Sequence, residues 1–259
     1  MIDVQNQPDA RRIPIDKVGV KDIRYPVIVR DKARDTQATV ASISMYVNLP
    51  EDFKGTHMSR FIEVLNRRHG RITLNNFLGI LDELKTELNA LSALVEMEFP
   101  YFIEKSAPVS GAKSLMEYNC RYIGEINHQS KLFHVGITVP VTTLCPCSRE
   151  MSDRGAHNQR GRVTVTLEFK GFFWIEDVIA LIEGSASSPV YALLKREDEK
   201  WVTEHSYDHP MFVEDLVREV TRRLRDDPNF TWFRVEAENF ESIHNHSAYA
   251  MVEWKRKQE

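Results

Sequence analysis

The hydrophobic periodicity of this chain switches between two and about 3.6 residues in an order that occurs twice. Residues 13–29 read as extended, with Ile13, Ile15, Val18, Val20, Ile23, Val27 and Val29 broken by Pro14 and Pro26. Residues 37–49 alternate Val40, Ile43, Met45 and Val47 against polar neighbours, the mark of a strand. From Gly55 a helical pattern follows, with Met58, Phe61, Ile62 and Leu65 on one face. A second helix carries Phe77, Leu78, Leu81, Leu84 and Leu88, with Thr73 as its expected cap. Residues 93–103 and 115–126 are strands. The second half repeats the order. Residues 134–141 and 161–170 are strands, 175–183 a helix, and 189–205 helical at first through Tyr191, Leu193 and Leu194. Residues 212–225 form an amphipathic helix, and 230–240 and 247–254 are closing strands. Strands with helices between them, and no linker or low-complexity tract, predict one compact α+β arrangement of two strand-strand-helix-helix-strand-strand units with antiparallel sheets. The expected division is a disordered tail over 1–12, a first unit over 13–133 and a second over 134–259.

Between the strands 135–141 and 162–167 lies a loop much longer than a turn requires. It reads Leu144-Cys145-Pro146-Cys147-Ser148-Arg149-Glu150-Met151-Ser152-Asp153-Arg154-Gly155-Ala156-His157-Asn158-Gln159-Arg160. It holds two of the three cysteines. Long ordered loops are usually functional, and thiolate with imidazole suits zinc and similar ions. Cys145, Cys147 and His157 are therefore candidate ligands or nucleophiles. Two small buried hydrophobes and a loop histidine would account for the same residues. Cys120, inside a strand pattern, reads as core.

A second constellation, Glu241-Ser242-Ile243-His244-Asn245-His246, separates the last two strands and could supply a ligand, a general acid and a base. If it meets the first loop, thiolate, imidazole and carboxylate share one site; alone it would be a solvated turn. Glu199 sits in a charge run whose default is a solvated face. Glu214 begins a helix, where a carboxylate is favourable; buried, it could instead grip the amidine edge of a purine through two hydrogen bonds. His57, Ser59 and Arg60 could bind phosphate at a helix start, and capping by Thr56 explains them equally well.

Composition excludes several classes. The chain has 259 residues, 42% hydrophobic and 28% charged, as a soluble globular protein has. No apolar run approaches a membrane span, and the N-terminus has no basic and apolar leader, so no membrane partner is expected. Three cysteines cannot all pair, so reduced thiols and a cytoplasmic setting are expected. A net charge of −4 argues against a general nucleic-acid binder.

The loop Leu144-Cys145-Pro146-Cys147-Ser148 with Gly155-Ala156-His157-Asn158-Gln159-Arg160 resembles the signature of the GTP cyclohydrolase IB family. Gly55 to Phe61, Phe99-Pro100 through Ser110-Gly111, Leu193 to Glu204, Phe212 to Asp215 and Glu241 to His246 extend the likeness over nearly the whole chain beyond about residue 12. The resemblance implies a tunnelling fold that assembles into a barrel-like homotetramer, with active sites at interfaces that a neighbour can complete. It implies conversion of GTP and water to 7,8-dihydroneopterin triphosphate and formate, the entry to folate. It implies a divalent metal, manganese or zinc, with Cys145, His157 and Glu199 as ligands. Glu214 then anchors guanine, Glu241, His244 and His246 transfer protons or shape the site, and Cys147 lies close by. His57, Ser59 and Arg60 are the expected phosphate contacts. Two rivals remain at this point. One is a tunnelling-fold nitrile reductase with a cysteine nucleophile, needing NADPH and no metal. The other is a non-enzymatic protein with a closed structural metal site.

Overall fold

The computed structural model describes residue 5 and residues 7–68 and 70–257. In chain order the elements are β1 (Ile15–Asp31), β2 (Asp35–Leu49), α1 (Met58–Arg67), α2 (Phe77–Glu87), β3 (Ala93–Ser106), β4 (Lys113–Ile126), β5 (Lys131–Leu144) and α3 (Pro146–Met151). There follow β6 (Asn158–Phe169), α4 (Ile175–Glu183), β7 (Ser188–Pro189), α5 (Arg196–Asp208), α6 (Val213–Asp226), β8 (Phe230–Phe240) and β9 (Ser247–Lys255). Strand neighbours run β1-β2-β3-β4-β5-β6-β8-β9, with β7 on β5.

The chain forms two compact units: residues 1–100 with 121–135, and residues 101–120 with 136–259. Strands β3, β4 and β5 each give one end to either unit.

In the first unit β2 pairs antiparallel with both β1 and β3, Met45 facing Val20 on one side and Val95 on the other. Period two then puts Ala41, Ile43, Met45 and Val47 on one buried face with Val95, Met97 and Phe99. Helices α1 and α2 bury Phe61, Val64, Leu65, Phe77, Ile80, Leu81 and Leu84. Phe77, Phe99, Tyr122 and Phe133 close this core with ring centroids 5.0–5.6 Å apart, a spacing that adds to area burial.

The second unit pairs β6 with β8 and β8 with β9, Val165 opposite Val235 and Val235 opposite Val252. Its core joins Ile137, Val139, Val163, Val165, Phe233 and Val235 with the apolar stripes of α4 and α6. Leu216, fully buried on α6, is the kind of residue whose truncation to alanine costs about 2–5 kcal/mol. The ends of β3 and β4 belong here because polar bonds tie them to α4. Tyr101 and Tyr118 donate to Glu176 and Glu183 at 2.5 and 2.7 Å, and Lys105 pairs Glu183 at 2.6 Å. Burial pushes the Lys105 ammonium down, against the pull of Glu183, and the Tyr118 phenol up.

Several local expectations are corrected. The residue before the second helix is Asn76, not Thr73, and it makes no side-chain cap; its Oδ1 instead accepts the Thr73 amide at 2.8 Å. The residue before α1 is His57, not Thr56, and it makes no side-chain cap. On α1 the face turned inward is Phe61, Val64 and Leu65, while Met58 and Ile62 are 41% and 37% exposed. Residues 189–195 are not helical. Ser188–Pro189 pairs with Val141–Thr142 of β5, and the residue before a proline is biased away from helix. Of the tail expected to be disordered, residues 1–4 and 6 lie outside the described residues. Gln5 and Gln7 accept backbone hydrogen bonds from Gly55 and Lys54 at 3.1 and 3.0 Å. Among the described residues no helix is long and apolar enough to cross a membrane.

Candidate active site

The last residue of β5, Leu144, is held by two neighbours. Its amide donates to Ser187 Oγ at 3.1 Å, and its carbonyl accepts from the Met211 amide at 2.9 Å. The next amide, that of Cys145, donates to the His157 carbonyl at 3.1 Å. This backbone bond closes the Cys/His loop at its base.

Within the loop stands the short helix α3, which the period count missed because it is only six residues long. Pro146 at its first position has the φ a helix start needs. Cys145 is the N-cap, and its Sγ accepts the Ser148 amide at 3.4 Å. Ser148 Oγ donates to the Cys145 carbonyl and accepts the His157 amide, both at 3.1 Å. Gly155 sits at φ 133°, a conformation open to glycine and strained for other residues. It turns the chain from the loop into β6.

Along β6 the buried positions are Gln159, Gly161, Val163, Val165 and Leu167. His157 Nδ1 lies 3.1 Å from Gln159 Oε1, and Gln159 Nε2 donates to the fully buried Thr143 hydroxyl at 2.9 Å. From the segment after β8, Ser242 Oγ lies 3.3 Å from the same His157 Nδ1. Cys145 and His157 are half-buried and Cys147 is exposed. Glu241 is half-buried beside Ser242, while His244 and His246 are exposed with rings stacked at 5.2 Å. The two constellations therefore meet, through Ser242 and His157. Arg160 is exposed and, with Arg162, Thr138 and Phe240, lines a cleft of about 240 Å³.

Glu199 is exposed in the first turn of α5. Its neighbour Asp198 is fully buried. It accepts from the Val109 and Ser110 amides, the Ser110 hydroxyl and the Lys195 amide at 2.6–2.9 Å. Burial opposes the charge, yet these donors hold the Asp198 carboxyl well below the usual carboxylate range. Glu214 is exposed in the first turn of α6, where Asp215 accepts the Phe212 amide at 3.3 Å. His57, Ser59 and Arg60 lie in the other unit; Arg60 donates to the Glu87 carbonyl at 2.6 Å. Cys120 is core, fully buried, with its thiol pushed up by burial.

Among the described residues no three His, Cys, Asp or Glu side chains gather as a metal-holding group, so Cys145, His157 and Glu199 do not form a closed donor set in this chain. The donor chemistry nevertheless fits a metal. With Nδ1 of His157 engaged by Gln159 and Ser242, Nε2 is the nitrogen left to ligate, the usual state of a metal-bound histidine. Sequence reasoning missed Gln159, Thr143, Ser148, Asp198 and Ser242. Extending the alternation of β6 back by one pair would have placed Gln159 on the buried face.

The chain matches the family model described as type I GTP cyclohydrolase folE2 over residues 1–250. It is 62% identical over 259 residues to GTP cyclohydrolase FolE2 of Syntrophotalea carbinolica, covering 100% of this chain and 97% of that one. It is 62% identical over 253 residues to the FolE2 of Syntrophus aciditrophicus, covering 98% and 99%. Among solved structures it is similar to uricase from Arthrobacter globiformis, with a TM-score of 0.55, 10% identity and 94% of each chain covered. It is also similar to a highly active mutant of Bacillus sp. TB-90 urate oxidase, with a TM-score of 0.52, 10% identity, and 93% and 100% covered. At such identities the likeness is one of fold, the α+β tunnelling fold. A match over almost every residue, to relatives of the same length, leaves one assignment: the chain belongs to the type I GTP cyclohydrolase folE2 family.

Proposed function

We propose that this chain is a GTP cyclohydrolase of the IB type, converting GTP and water to 7,8-dihydroneopterin triphosphate and formate at the head of folate synthesis. The family supports the reaction. The observation that carries the site is Ser242 Oγ at 3.3 Å from His157 Nδ1, which sets the Glu241–His246 segment against the Cys/His loop.

On this reading Cys145, His157 and Glu199 hold a divalent cation, manganese or zinc. Such an ion, when bound, lowers the pKa of a water towards neutrality and polarises the position attacked. The chain's own groups do the rest. Glu214 accepts two hydrogen bonds from the amidine edge of guanine and orients the purine. Glu241, His244 and His246 carry protons while water adds at C8, the imidazole ring opens, C8 leaves as formate and the rearranged ribose closes the new ring. Two waters enter, one at C8 and one at the formamide that ring opening leaves, and one returns when the new ring closes, so the net balance is one water in and one formate out. Cys147, exposed on α3, shapes the same edge of the site. His57, Ser59 and Arg60 are assigned to the triphosphate, at the start of α1, where a helix end favours an anion. Two tandem tunnelling-fold repeats, 13–133 and 134–259, defined by element order and not by the compact units above, and a cytoplasmic homotetramer complete the proposal. The family favours it over an NADPH-dependent reductase.

The test is GTP turnover by the purified chain, before and after chelation and re-addition of Mn²⁺ or Zn²⁺. Metal-dependent release of formate together with a pterin that fluoresces after oxidation is expected. A folded chain that makes neither product with any divalent ion overturns the reading.

A further inference from the structure

We infer that Gln159, anchored by Thr143, is the positioning residue that fixes which nitrogen of His157 faces the metal; this rests on the metal centre proposed above. Gln159 is 7% exposed and Thr143 fully buried. An aliphatic residue at this strand position would gain burial without needing partners. The amide instead spends its polar atoms locally, Nε2 on Thr143 Oγ1 at 2.9 Å and Oε1 on His157 Nδ1 at 3.1 Å. In that orientation the amide oxygen requires a proton on Nδ1, so Nε2 keeps its lone pair. Turned by half a rotation, the amide would present N–H to Nδ1, place the imidazole proton on Nε2 and remove the metal's ligand. Thr143 tethers the amide in place, its hydroxyl being able to accept or donate and so not itself selecting the amide's face, and Ser242 Oγ at 3.3 Å is a second partner on the same Nδ1. The consequence is an affinity device one bond away from the metal, where such partners are worth roughly 10–100-fold in binding.

The test uses the full chain stripped of metal. Imidazole nitrogen spectra report the neutral tautomer of His157, its signal identified by loss in His157→Ala. Titration with Co²⁺, read by the thiolate-to-metal absorption band, gives affinity. The parent should show Nδ1–H. Gln159→Leu should mix the tautomers and weaken Co²⁺ binding about 10–100-fold, with the thiolate band intact at saturation. Gln159→Glu, which still offers an acceptor, should recover most of the loss. Thr143→Val, which only frees the amide, should fall between. An Nε2–H tautomer in the parent overturns the inference, as does parental Co²⁺ affinity in Gln159→Leu. Should Gln159→Leu fail to fold, parental affinity in Thr143→Val overturns it. Nε2–H with a normal thiolate band removes this inference and leaves the cyclohydrolase reading standing. Nδ1–H with no Co²⁺ binding removes the metal centre itself, and the positioning role with it.

Discussion

The backbone amide of Cys145 donates to the backbone carbonyl of His157 at 3.1 Å. The two residues that carry the proposed thiolate and imidazole ligands are therefore held side by side by main chain, which leaves only their side-chain rotamers to be set. Ser148 reinforces it from inside the loop, accepting from one partner's amide and donating to the other's carbonyl. Backbone geometry fixed in this way keeps little entropy to lose when an ion binds.

Replacing the sulfur alone tests the ligand assignment. In Cys145→Ser the new hydroxyl can still accept the Ser148 amide, since serine is a good N-cap. The loop should stay folded while metal content and turnover fall by more than the ~10–100-fold that an outer partner costs. Metal analysis and formate release on the same sample check this; full metal and full turnover would remove Cys145 from the ligand set.

Glu214 distinguishes a purine anchor from a helix-terminal charge. As an anchor, Glu214→Ala should lower kcat/KM by about 30-fold or more, the ~2–5 kcal/mol for truncating a hydrogen-bonded charge, with metal content unchanged. As a charge near the start of α6 it should cost only ~0.3–1 kcal/mol of stability. Steady-state kinetics beside thermal melting separate the two.

Gly155 and Gly111 make a matched pair. Gly111 has φ 67°, in the left-handed helical well, whereas Gly155 has φ 133°. Neither position is crowded, since a Cβ would meet nothing within 4 Å at either. Gly155→Ala should therefore lose about 1–3 kcal/mol from backbone strain alone, and Gly111→Ala less. Denaturant titration of both variants measures the difference; equal losses would mean the Cys/His loop relaxes around the added methyl group.

Asp198 predicts an acid-sensitive joint. Its carboxyl titrates below the ordinary range in the folded chain and near ~3.9 when unfolded. Its contribution is fully present above the unfolded value and is lost as pH falls below it towards the folded one. Asp198→Asn turns a donor towards amides that need an acceptor, so it should melt lower at neutral pH and show a shallower decline between about pH 5 and 3. Melting temperature against pH for both proteins checks this; parallel curves would refute it.

Much of the fold is legible in the sequence because most elements are long and one-sided. The helix over 175–183 and the strand over 230–240 occupy the residues their periodicity indicates. Failures fall where pattern is short or ambiguous. The apolar Tyr191, Leu193 and Leu194 suggest a helix, but pairing with β5 takes the preceding residues first. Cys145 and His157 stand out by residue type, and the structure brings their loop together with Ser242. Gln159 and Asp198 do not stand out, because a glutamine beside an asparagine and an aspartate in a charge run look solvated until their burial is seen.

The sharing of β3, β4 and β5 between the two compact units has a consequence during synthesis. The first unit lacks residues 121–135 until they leave the ribosome, and by then residues 101–120, which belong to the second unit, are already out. Neither unit is one continuous stretch of chain. The first unit can therefore close only once residue 135 is out, with residues 101–120 still waiting for the rest of the second unit, a late start for a chain that folds its N-terminal domain first. The nascent chain must hold an unfinished apolar sheet until past the third crossing, which makes the interval before residue 135 the one in which a chaperone has most to protect.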